Sequence, residues 1–132
     1  METREIAKLP IHKTQDILVA RFVVREEARK LGFAAEKITQ LATAISEICR
    51  NAVQYSGADC QAIIEEIKNE ERMAIRVDVT DTGKGIENPK EVMEQSQKVL
   101  GSGLAGTRAI MDDFSIQSTV GKGTTVTFSK YV

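Results

Sequence analysis

The chain has little of what several common classes of protein require. Among its 132 residues there are two cysteines and one histidine. Cys49 and Cys60 are too few and too badly spaced for a zinc site. In a reducing compartment they predict free thiols rather than a disulfide. Cys49 falls near the apolar side of a helical pattern, which favours buried packing, and Cys60 follows a turn and begins a strand. The single histidine, His12, stands just after Pro10 in an extended stretch and reads as a surface or edge residue, not a ligand or phosphoacceptor. The net charge is only -1, with Lys and Arg spread along the chain, so no basic footprint for nucleic acid exists. No apolar run approaches the roughly 20 residues of a membrane helix. The charged start, Met1-Glu2-Thr3-Arg4-Glu5, leads into no signal-peptide core. The expectation is a cytoplasmic protein with no nucleic-acid and no membrane partner.

The length fits one domain, residues 1–132, able to bury a core without staples. Residues 5 to 11 read as a short strand, and Pro10 suits an edge because it cannot donate to a central ladder. Thr14 or Asp16 can cap the following helix, whose apolar stripe is Ile17, Ala20, Val24, Ala28 and Leu31. Gly32 marks its end. A second helix is predicted from about Glu36 to Gln54, burying Ile38, Leu41, Ile45, Ile48 and Ala52. The run Ser56-Gly57-Ala58-Asp59 breaks it. Residues 61 to 68 and 72 to 80 read as strands. The second alternates Met73, Ile75, Val77 and Val79 with polar or small residues, and delivers Asp81 to a sheet end. Asn88-Pro89 signals a loop, residues 90 to 100 a short helix or mobile segment, and Gly103 to Asp113 a third helix. Phe114 to Val120 and Thr124 to Tyr131 form a terminal hairpin. Strands arriving mainly as hairpins imply a two-layer α/β sandwich, its sheet mixed but largely antiparallel and covered on one face by helices.

Three short segments carry the chemistry. In Glu47-Ile48-Cys49-Arg50-Asn51 the glutamate and asparagine stand one helical turn apart, to the side of the apolar stripe. Such a pair can give a carboxylate base and an oxygen ligand for Mg2+, which accepts one protein oxygen beside phosphate oxygens. It is also what a solvated helix flank offers. In Asp81-Thr82-Gly83-Lys84-Gly85-Ile86 a carboxylate at a strand end can accept from an exocyclic amine such as that of adenine. Gly83 and Gly85 there permit positive φ and close approach of a ring, although an Asp-x-Gly turn alone explains the pattern as well. Gly101-Ser102-Gly103-Leu104-Ala105-Gly106 opens a helix with free backbone N–H groups that favour phosphate. Its match to the dinucleotide fingerprint is a decoy, because no strand precedes it and no acid stands about 20 residues on at a strand end. A P-loop is absent too, since Gly121-Lys122-Gly123-Thr124 lacks the upstream glycine.

In this order, the segments resemble the GHKL ATP-binding family, which groups gyrase B, Hsp90, histidine kinases, MutL and the anti-sigma serine kinases. Glu47 to Asn51 resembles its N box, Asp81 to Ile86 and Gly101 to Gly106 its two glycine boxes, and Gly121 to Phe128 its final glycine-threonine hairpin. Within the family, Ala44 to Asn51, Ile110-Met111-Asp112-Asp113-Phe114 and the short loop between the glycine boxes are most similar to the serine/threonine kinases of bacterial partner switching, the stressosome switch kinase of RsbT type. The resemblance implies ATP and Mg2+ as cofactors and a Ser or Thr of a STAS-domain protein as phosphoacceptor. A PP2C-type phosphatase activated by the free kinase, or a sigma factor, is implied as alternate partner, and homodimerisation stays open. Residue by residue it implies Glu47 as general base, Asn51 as Mg2+ ligand, and Asp81 as acceptor from the adenine amine with Thr124 in support. Gly83 and Gly85 would line the adenine pocket, and Gly101, Gly103 and Gly106 would form the phosphate lid. No basic residue is matched to the γ-phosphate; Lys98, Arg108 and Lys84 are the candidates. The alternative is an anti-sigma or other ATP-dependent binding module that sequesters a partner with little phosphotransfer. A detached histidine-kinase domain lacks its His-bearing helix, and a gyrase-type ATPase needs a transducer domain.

Overall fold

Alternation of apolar and polar residues gives the sheet two unlike faces. The computed structural model describes residues 1–56, 59–83, 85 and 103–132. Their elements are β1 (Glu2–Pro10), α1 (Thr14–Lys30), α2 (Ala35–Ser56), β2 (Cys60–Lys68), β3 (Met73–Asp81), α3 (Gly103–Ile110), β4 (Asp113–Thr119) and β5 (Gly123–Tyr131). The five strands lie in the order β1-β2-β3-β5-β4. The expected sandwich is present, but every strand pairing is antiparallel, so the sheet of the described residues is not mixed. Two hairpins, β2–β3 and β4–β5, supply half of those pairings, and β1 and β5 each run against the neighbour they join.

On the covered face, Val77 stands between Ile64 and Phe128, and Val79 between Ala62 and Val126. All six are buried in one core with Leu41, Ile45 and Ile48 of α2. Burial of a side chain of this size stabilises by about 2 kcal/mol, so these residues fix how α2 lies on the sheet. Helix α1 packs on α2, and of its predicted stripe Ile17, Ala20, Val24 and Ala28 are buried as their spacing predicts, while Leu31, at the helix end, is only partly buried. The opposite face needs no helix because its polar side chains satisfy one another. Arg76 pairs with Glu65 at 2.9 Å, Thr127 Oγ1 donates to Asp78 Oδ1 at 2.6 Å, and the hydroxyls of Thr80 and Thr125 lie 3.2 Å apart. Ala74 departs from the simple alternation. It belongs to the polar face yet is buried, lying opposite Tyr131 in the register.

Element ends follow local chemistry. Pro10 closes β1 at the sheet edge, opposite Gln61. Neither Thr14 nor Asp16 is the cap residue of α1. Lys13 holds that position, and the Asp16 carboxylate in the first turn accepts from the N–H groups of His12 and Lys13 at 2.8 and 3.1 Å. Those backbone bonds, first that of His12, hold the Asp16 carboxyl below its ordinary pKa. Helix α3 stops at Ile110 instead of continuing to Asp113, which begins β4. Asp112 Oδ2 accepts from the N–H of Tyr131 at 2.8 Å, and Asp113 Oδ2 from the Ser129 hydroxyl at 3.0 Å. Short acidic side chains engaged this way compete with helix. The buried Lys130 then donates from Nζ to the Ile110 carbonyl at 2.7 Å, closing the end of α3. The loop at Asn88-Pro89 and the expected segment over 90–100 lie outside the described residues.

Where β5 begins, Gly123 has φ +121° and lies so close to β3 that a Cβ would overlap the Asp81 carbonyl oxygen. Gly123→Ala is therefore expected to lower stability by about 3 kcal/mol, from backbone strain and steric overlap together. Urea unfolding of the two proteins measures this.

Candidate functional site

The covered face ends in a row of four residues that successive strands place side by side. Cys60 of β2 faces Asp81 of β3, Asp81 faces Thr124 of β5, and Thr124 faces Ser118 of β4. The hydroxyls of Ser118 and Thr124 are 2.7 Å apart. Asp81 Oδ1 accepts from the Gly83 N–H at 2.9 Å, the turn bond that the Asp-x-Gly sequence favours. Among the described residues, its Oδ2 has no donor. The carboxylate is half-buried, which makes an unfilled acceptor here a natural place for a ligand's N–H.

Helix α2 lies over this end of the sheet. Burial first, and then the charge of Asp81, pushes the Cys60 thiol up to about 11. Burial first, and then Cys60, pushes the Cys49 thiol up to about 12. This chain of electrostatic neighbours carries from Cys49 on α2 through Cys60 to Asp81. Glu47 and Asn51 flank Cys49 in sequence, and both are half-buried. The Asn51 amide makes no hydrogen bond among the described residues. Glu47 Oε1 does have a partner, accepting from Nη1 of Arg50 at 2.6 Å.

The glycines divide. Gly85 has the positive φ expected of it, +76°, but the space left by its missing side chain is filled by the Thr119 carbonyl of the terminal hairpin. The Gly85 loop and the hairpin thus meet backbone to backbone. Gly83 does not have positive φ. Gly103 is the first residue of α3, Gly106 lies inside it, and α3 packs on α2. Gly101 lies outside the described residues, as do Lys84 and Lys98. Arg108 is exposed in the last turn of α3. The structure therefore brings Asp81 and Thr124 together directly, and sets Glu47 and Asn51 one turn apart on α2, either side of the Cys49 that neighbours Cys60. Sequence reasoning passed over Arg50 and Ser118. Arg50 was signalled by its place three residues after Glu47, where helical side chains meet. Ser118 has no signal without strand register.

Residues 12–130 match the family described as the histidine kinase-like ATPase domain, and the chain belongs to that family. It is 35% identical over 120 residues to the serine/threonine-protein kinase RsbT of Bacillus subtilis (strain 168), covering 89% of this chain and 90% of that protein. It is 30% identical over 128 residues to the anti-sigma F factor of Thermoanaerobacter sp. (strain X514), covering 92% and 90%. Among solved structures, that of the RsbU and RsbW domains of Rv1364c from Mycobacterium tuberculosis matches with a TM-score of 0.65 at 20% identity. The match spans 98% of this chain and 32% of that one, and supports the fold. An ATPase domain implies ATP as ligand. The Asp81 oxygen and the Asn51 amide, both without a partner among the described residues, fit an adenine amine and a phosphate-bound cation, respectively. No helix of the described residues is long and apolar enough to cross a membrane.

Thiols held up at about 11 and about 12 are almost fully protonated near neutral pH. At pH 8 the native protein should show no fast reaction with a chromogenic disulfide reagent. Both thiols should react at once in urea. Rapid labelling of the native protein would contradict the described burial.

Proposed function

We infer that the protein is a serine/threonine kinase of a bacterial partner-switching module. It would transfer the γ-phosphate of ATP to a Ser or Thr of a STAS-domain antagonist. The observation that carries this reading is Glu47, a half-buried carboxylate one turn before Asn51 on the helix whose Cys49 neighbours Cys60, the strand partner of Asp81. A module that only gripped nucleotide would have no use for a base at that place. The 35% identity to a protein named as a serine/threonine kinase supports it.

In this reading Asp81 accepts from the adenine amine, with Thr124 and its Ser118 partner steadying the same edge. Asn51 is the protein's oxygen ligand for Mg2+. Among the described residues there is no cluster of three or more acidic, His or Cys side chains able to hold a metal. The cation would therefore be shared between Asn51 and the phosphates, which is how Mg2+ is commonly held. ATP would supply the phosphoryl group, and Mg2+ held at Asn51 would neutralise part of its charge. Glu47 takes the proton from the attacking hydroxyl, whose oxygen bonds to the γ-phosphorus as the bond to ADP breaks. Little else is asked of the protein, because phosphoryl transfer depends mostly on positioning and charge. The N–H groups opening α3, at Gly103, suit phosphate oxygens. A PP2C-type phosphatase is the proposed partner of the unoccupied kinase.

The relatives named anti-sigma F factor favour a second reading, in which the chain sequesters a sigma factor under nucleotide control. One assay separates the two. With labelled ATP, Mg2+ and the STAS-domain proteins of the same organism, wild type should label a Ser or Thr. Glu47→Ala should lower the rate by about 100-fold or more while changing ATP affinity by less than roughly threefold. Asn51→Ala should lose Mg2+-dependent ATP binding. Nucleotide binding without transfer to any STAS protein would leave the sequestering module.

A further inference from the structure

Arg50 stands at the site without an assigned role. It is three residues after Glu47 and next to Asn51 on α2. Its guanidinium contacts the Glu47 carboxylate at 2.6 Å, with the two side chains 56% and 27% exposed. As a device for stability, such a pair counts for little, because water screens it and two side chains lose freedom. As a device at a phosphate site it has more to do. A guanidinium offers five donors in a planar fork matched to phosphate oxygens, and among the described residues only one carboxylate oxygen occupies it. The terminal phosphate carries more charge than a carboxylate and accepts two parallel bonds from such a fork. Any hydroxyl that Glu47 deprotonates must also lie about 3 to 3.5 Å from the phosphorus it attacks. A guanidinium already bonded to Glu47 is therefore within one side-chain rotation of that phosphoryl group.

We propose that Arg50 is the residue that contacts the γ-phosphate. Without ATP it holds the Glu47 carboxylate, and with ATP it moves to the phosphate and leaves Glu47 facing the incoming hydroxyl. No covalent bond changes in this exchange. The base becomes available only when there is a phosphoryl group to transfer, which limits pointless activation of water. The proposal rests on the kinase reading above, and its test separates the failure of one from the failure of the other.

The test compares ATP with ADP, which lacks the γ-phosphate. Affinities of the full-length wild type, Arg50→Ala and Arg50→Lys are measured by calorimetry with Mg2+, beside phosphotransfer rates. Wild type should prefer ATP. Arg50→Ala should keep its ADP affinity, which also shows that it folds, and lose about tenfold in ATP affinity. Its kcat should fall by about tenfold or more, and Arg50→Lys should recover part of both, since it keeps charge but not the fork. An unchanged ATP-to-ADP ratio in Arg50→Ala would overturn the proposal, whatever its rate. Equal loss of ATP and ADP affinity would also overturn it, because the γ-phosphate would then not be what Arg50 recognises. Wild type that binds ATP but transfers nothing would remove the kinase reading, while the ratio would still decide the role of Arg50. Wild type that binds neither nucleotide would overturn both.

Discussion

The rotation of α2 about its own axis is the constraint on which the rest depends. Leu41, Ile45 and Ile48 are fully or almost fully buried against the sheet, and Ala44 and Cys49 are buried with them. Turning the helix by one residue, about 100°, would bring these side chains out of the core and put polar ones in. At about 2 kcal/mol for each large side chain, no polar interaction at the surface competes with that. Glu47, Arg50 and Asn51 therefore have no freedom to choose where they point as a group. They lie on the flank left over when the apolar stripe has found the sheet, and the flank falls over the end where β3 stops. Chemistry at this site is positioned by residues that take no part in it.

The one-sided sheet has a related effect. Threonines, Arg76, Glu65 and Asp78 complete their own contacts on the uncovered face, so a single helical layer suffices. Asp81, Thr124 and Ser118 come from three different strands, yet form a single row. Strand register, not sequence proximity, assembles this half of the site. The other half is local to one helix. Each half is rigid for its own reason, one through the ladder and one through core packing.

That difference explains what could be read in the chain without its structure. The element order, most of each buried stripe and the placement of Asp81 at a strand end follow from periodicities of 3.6 and 2, while the edge position of Pro10 follows from its missing N–H; Leu31, Ile38 and Ala52 end only partly buried. What failed was decided by contacts between distant residues. Asp113 looks like the end of a helix until Ser129 and Tyr131 are seen to engage it and its neighbour. Ala74 sits on the polar face and is buried all the same. That Glu47 and Asn51 stand one turn apart on α2 was legible from helical spacing. Arg50 was overlooked because an arginine three residues from a glutamate is common on any helix surface.

Gly85 and Gly123 close the site from the side of the terminal hairpin, each by letting one backbone rest directly on another. Contacts of that kind have no side chain to trim, so neither strand of the match can adjust alone. The turn after Asp81 and the hairpin before Thr124 are separated by some forty positions in the chain, but they form one interlocking part. In this architecture the turn after Asp81 is not an interchangeable module: transplanting it from a relative means transplanting the far hairpin with it, as one would replace a key and its lock together.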